Sequence, residues 1–139
     1  MPDQSQAARE QPQCIAIVIC NEVIEDKTTS NKTLVSIFNT IGTPGVPCQH
    51  PRMFVMASLT DGRGRWPICF RITGPSGGTL MQMDGEAHFA NPLDVVDLVL
   101  QVRGLQLNEA GEHRVEVIVG GEPRGSRRFT VIVQEGEQA

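Results

Sequence analysis

The sequence predicts an all-β fold, an antiparallel β-sandwich of about eight strands. Two observations carry this. Short runs rich in Val, Ile, Phe and Thr alternate apolar and polar residues with period two, as half-buried strands do. Clusters of Gly, Pro, Asn and Asp interrupt them about every ten residues, the spacing of sandwiches and barrels. Residues 93–133 show the pattern most fully: strand, corner, strand, hairpin, strand.

The first strand is Cys14–Cys20, continuing to Val23-Ile24. It is apolar at every position from 14 to 20 and dominated by β-branched residues. Such a strand is expected to be covered on both sides, or to hug a neighbouring subunit. Turn residues 28–32 lead into a second strand, 33–41, so the two form a hairpin. Gly42–Pro51 holds three prolines and two glycines and is expected to be irregular. Arg52–Thr60 is the third strand, and Asp61-Gly62 suits the tight turn after it.

The fourth strand puts Trp66, Ile68, Phe70 and Ile72 on one face. Gly74–Gly78 turns the chain into a fifth strand, 79–89, which Gly85 is expected to bulge or break. Leu93–Val102 fits helical spacing in part. Four valines in ten residues, and Val96, Leu98, Leu100 and Val102 at period two, favour a sixth strand. His113–Val119 and Arg127–Val133 complete the set, with a turn at Gly120–Pro123. The expected core holds Trp66, Phe70, Val96, Leu98, Leu100, Val115 and Val117. Two topologies fit: an immunoglobulin-like one with nine strands if Gly85 splits the fifth, or an eight-strand C2-like or jelly-roll sandwich.

A chain of 139 residues suits one domain, and at that length it buries roughly two thirds of its unfolded surface without staples. Residues 14–133 are expected to form that domain, 1–13 a disordered polar leader and 134–139 a frayed tail. The net charge of −4 argues against a nucleic-acid binder, which needs a basic face. No apolar run approaches the ~18–20 residues of a membrane span, and residues 1–13 have neither part of a secretory signal. The expected compartment is the cytoplasm. Cys14, Cys20, Cys48 and Cys69 are then reduced thiols; Cys14 and Cys20 lie about 20 Å apart along an extended strand and cannot pair.

No motif for catalysis stands out. Cys48-x-His50 offers two metal ligands where zinc wants four. Asp84, Glu86, Asp94 and Asp97 lie on strand bodies, not in one calcium loop. Gly74–Gly78 lacks nucleophile-elbow spacing, and Gly62-Arg63-Gly64 precedes no helix. Arg124, Arg127 and Arg128 read as a solvated, charged edge. No cofactor or metal is expected.

The stretch Leu107-Asn108-Glu109-Ala110-Gly111-Glu112-His113-Arg114-Val115 resembles the corner before the sixth strand of immunoglobulin-like domains. His113 takes the place of the corner Tyr and Val115 that of the core residue two positions on. The resemblance implies a buried His113 bonded to backbone near residues 107–110. Asn21–Asp26, Leu34–Ile41, Pro47, His50-Pro51 and Leu59–Asp61 are together similar to a bacterial family of small single-domain β proteins of unknown function. That likeness covers most of the chain and implies the fold but no activity.

The function expected from these readings is a non-enzymatic interaction or structural module. It would meet a protein partner or a second copy of itself, and neither nucleic acid nor membrane. The alternative is a ligand-binding or enzyme-like sandwich with a site at one loop end. Strand parity puts 42–51, 74–78 and 104–111 at the same end. The candidate partner-binding residues there are Val46, Gln49, His50, Arg52 and Asn108, since stiff loops on a rigid sandwich tend to carry binding residues.

Overall fold

The structure, a computed structural model, describes residues 11–134; most of the expected leader and tail, residues 1–10 and 135–139, lies outside them. Among the described residues there are nine strands: β1 (Gln13–Glu25), β2 (Lys32–Ile37), β3 (Thr40–Thr43), β4 (Cys48–Thr60), β5 (Gly64–Thr73), β6 (Thr79–Phe89), β7 (Val96–Leu107), β8 (Gly111–Val119) and β9 (Glu122–Val133). One sheet runs β2-β1-β4-β7 and the other β3-β9-β8-β5-β6. β3 and β9 pair in parallel, the other neighbours antiparallel.

This is an immunoglobulin-like sandwich. β4 and β7 stand as strands B and E of one sheet; β5, β6, β8 and β9 stand as C, C′, F and G of the other. β1 holds the A position and β2 extends that sheet outward. No described strand holds the D position beside β7.

Nine strands decide for the immunoglobulin-like alternative over the eight-strand one, but the ninth does not arise where expected. Gly85 does not break its strand: β6 runs through it, opposite Ile68. The run 33–41 divides instead. Ser36 takes a positive φ of 55°. Phe38 N–H donates to the Ile19 carbonyl of one sheet, and the Asn39 carbonyl accepts from Thr130 N–H of the other, both at 2.9 Å. The chain changes sheets between these two bonds, and Thr40–Thr43 joins β9.

Gly42–Pro51 is also more regular than expected. Gly42 and Thr43 lie in β3 and Cys48–Pro51 in β4, which leaves 44–47 as the loop. Pro51 lies beyond Phe54, the last residue of β4 to pair with β1, so β4 has a free side there, where proline is tolerated. Its other side stays in register with β7 between His50↔Leu105 and Arg52↔Arg103.

The core fills the space between the sheets. Phe70, Leu100, Val115 and Val117 are buried as expected, with Ile19, Val55, Leu59, Ile72 and Phe129. Trp66, Val96 and Leu98 are half-buried against them, a correction to the expected core. The sixth predicted strand begins at Val96 rather than Leu93, which is 89% exposed, and β9 begins at Glu122, so the turn before it is short. β1 is covered on both sides only at Ile19 and Cys20, each 0% exposed; toward its start Ile15, at a register shift, is 57% exposed.

Candidate functional site

The predicted site residues separate onto two faces. Gln49 pairs with Gln106, whose amide donates to Asn108 Oδ1 at 3.1 Å, so Gln49 and Asn108 share one exposed patch. Val46 is half-buried and packs against the core. His50 stands opposite buried Leu105, with its ring 6.0 Å from that of Phe38. Burial holds its pKa below the usual histidine range, and its Nε2 is buried without a hydrogen-bond partner. Arg52 lies on the outside, 5.7 Å over the Phe54 ring and 3.9 Å from Glu22. The loop end itself is shared as parity requires: Ser76 donates to Glu109 Oε2 at 2.6 Å, tying 74–78 to the 108–110 corner.

At that corner His113 is 1% exposed, and its Nδ1–H donates to the Gly111 carbonyl at 3.0 Å rather than to residues 107–110. Its ring stacks on Phe129 at 5.0 Å. The basic residues are not a loose edge. Arg127 donates to the Ile17 carbonyl at 2.9 Å and to Asn39 Oδ1 at 2.7 Å, bridging the two sheets. Arg124 meets Glu122 at 3.2 Å and Arg128 meets Glu112 at 3.6 Å. The four cysteines are free thiols, and among the described residues no three His, Cys, Asp or Glu side chains converge as a metal site requires.

A larger feature lies on the outward side of the β2-β1-β4-β7 sheet. Pairing aligns Val18 with Met56 and Met56 with Val99 in one row. The next row aligns Ile37, Cys20, Phe54 and Gln101. These side chains point away from the core, because their chain neighbours Ile17, Ile19, Val55, Ala57 and Leu100 are buried inside. In a two-layer sandwich that face is ordinarily polar. Here Val18, Phe54 and Met56 are half-buried, with Arg52 over the Phe54 ring, Cys20 is fully buried, Val99 is 40% exposed and Ile37 is 56% exposed. Charged and polar groups rim the patch. Ser58 donates to Asp97 at one end, and Glu22, Arg52 and Arg103 lie at the other.

Beside this face the sandwich is open along β6 and β7. A cleft of about 170 Å³ runs between them, lined by Phe70, Met83, Gly85, Leu98 and Val99. It is the vacant D position. A cleft of about 290 Å³ lies between the end of β2 and β3, lined by Asn21, Ser36, Thr40 and His50 among others.

Comparison with known families places the chain. The model of a family of unknown function, DUF6941, matches residues 15–132. The chain belongs to that family. No curated protein matches it. Among solved structures, a DNA glycosylase of Pseudomonas fluorescens, an alkylpurine enzyme seen bound to DNA with an abasic-site analogue, is similar to this DUF6941 chain. The TM-score is 0.51 at 12% identity, over 88% of this chain and 30% of that one. A β-glucuronidase of Bifidobacterium dentium gives 0.43 at 12% identity, over 86% and 18%. An immunoglobulin-like protein of Pseudomonas aeruginosa gives 0.40 at 13% identity, over 89% and 98%. The DUF6941 chain thus spans under a third of the first two proteins, and the likeness concerns the fold alone.

Proposed function

We propose that this chain is a non-enzymatic interaction module, working in the cytoplasm, that docks a protein partner on the outward face of its β2-β1-β4-β7 sheet. The observation that carries this reading is the aligned apolar patch of Val18, Phe54, Met56, Val99 and Ile37. Contiguous apolar surface ringed by polar groups marks interaction sites, and Met, Phe and Arg are enriched in them. Arg52 sits on the rim and adds directional contacts. Gln49 and Asn108 extend the rim toward the loop end, whereas Val46 and His50 turn to the core side. The acidic net charge favours a protein over nucleic acid. Four free thiols agree with a reducing compartment.

The test is affinity capture from the native host with wild type and with Met56→Asp. A charge in the centre of the face is expected to weaken retention of the partner at least tenfold, about 1.4 kcal/mol. Its melting temperature should change little, since Met56 is not part of the core. Equal retention by Met56→Asp, with loss on Gln49→Ala and Asn108→Ala instead, would move the site to the loop end.

A further inference from the structure

We infer that β7 pairs antiparallel with β7 of a second copy of this chain, joining two four-stranded sheets into one across a two-fold axis. β7 ends its sheet and is hydrogen-bonded only to β4, so the backbone groups on its other side have no strand partner. It runs from Val96 to Leu107 without proline or lysine. The other sheet ends are guarded in ways that deter strand pairing. β2 has six residues and begins with Lys32; β3 has four. β6 carries Asp84, Gly85 and Glu86 at its middle. β7 is the longest of these edges, and its two charges, Asp97 and Arg103, are of opposite sign.

Its outward residues are also complementary to themselves. In a two-fold pairing centred on Leu100, Asp97 of one copy faces Arg103 of the other, twice over, and Val99 faces Gln101. Opposite charges on facing strands stabilise a register and like charges oppose it. Shifting the centre by one residue either way separates both charge pairs. On the inner side, Leu98, Leu100 and Val102 of the two copies meet at the vacant D position. Space exists there: Gly85 has no atom within 4 Å of where a Cβ would stand, and Met83 beside it is 49% exposed. An incoming β7 covers both. The arrangement is isologous and closed, as two-fold dimers are.

The pairing shares Val99, Asp97 and Arg103 with the border of the docking face but leaves out Val18, Phe54 and Met56 at its centre, so Met56→Asp tests docking apart from dimerisation. It also sets the Val18-Met56-Val99 row of one copy in line with the Gln101-Phe54-Cys20-Ile37 row of the other.

Sedimentation velocity of the full chain and its charge variants tests this. Wild type is expected to be a dimer. Arg103→Asp places two carboxylates opposite each other at each end and is expected to weaken dimerisation at least tenfold. Asp97→Arg, combined with Ser58→Ala because Ser58 donates to Asp97, places two cations opposite each other and should do the same. Mixing the two variants restores both opposite-charge pairs and is expected to return a heterodimer. A monomeric wild type overturns the proposal, as does a dimer indifferent to Arg103→Asp. Failure of the folded variants to associate on mixing also overturns it. Should Asp97→Arg not fold, Arg103→Asp with and without wild type decides alone: a fully dimeric variant rejects the β7 pairing.

Discussion

His113 and His50 are both set in apolar surroundings, yet they do different work. His113 holds the corner by one hydrogen bond to Gly111 and by stacking on Phe129. Removing the ring leaves a cavity and an unmet carbonyl, so His113→Ala is expected to cost about 2–4 kcal/mol in urea denaturation. His113→Phe keeps the stack, loses only the bond, and should cost about 1 kcal/mol. Equal losses would deny the stack its part. His50 is held neutral by burial, with a folded pKa below the ordinary 6.5. The unfolded chain binds a proton there more readily than the folded one as pH falls below about 6.5. Stability contributed by neutral His50 is therefore present above that pH and lost on acidification. The urea midpoint of wild type should fall between about pH 7.5 and 5.5 by more than that of His50→Gln. Parallel shifts would remove His50 from the account.

At the scale of the strand, faces were legible and boundaries were not. Period two placed Phe70, Leu100, Val115 and Val117 in the core because each strand is covered on one side by the other sheet. Leu100 is 5% exposed and Leu98 is half-buried at the open seam, so Leu100→Ala should cost about 2–5 kcal/mol and Leu98→Ala distinctly less. The reverse order would mean that the facing of β7 is misassigned by one residue. β3 was not legible. Residues 33–41 read as one run, and only the bonds of Phe38 and Asn39 to opposite sheets divide it. Its parallel pairing with β9 leaves no periodic signal. Pro51 and Gly42 look like breakers, yet each stands in a strand; Pro51 is tolerated because β4 has lost its β1 neighbour there and is paired on one side alone.

For the whole molecule, the candidate site was half visible. The sequence shows that Cys14–Cys20 is apolar on both faces and so points to a covered or partnered strand. It does not show that Met56 and Val99 line up beside Val18, since that alignment depends on the register of three strands distant in the chain. Arg127, read as edge charge, proves to bridge the sheets through the Ile17 carbonyl and Asn39, contacts that no local pattern announces. Compartment and fold meet in the thiols. Denatured protein prepared without reductant should titrate as four free cysteines; a count of two would reveal a disulfide and contradict the proposed reducing compartment.

The central claim is that the outward face of the β2-β1-β4-β7 sheet is where this module meets its partner. A photo-crosslinking side chain placed at position 56 in the native host samples that face, and one at position 82 samples the outward face of the other sheet, where Gln82 pairs with Arg71. The account predicts a discrete protein adduct from position 56 and none from position 82. An adduct from position 82 with none from position 56 would contradict it.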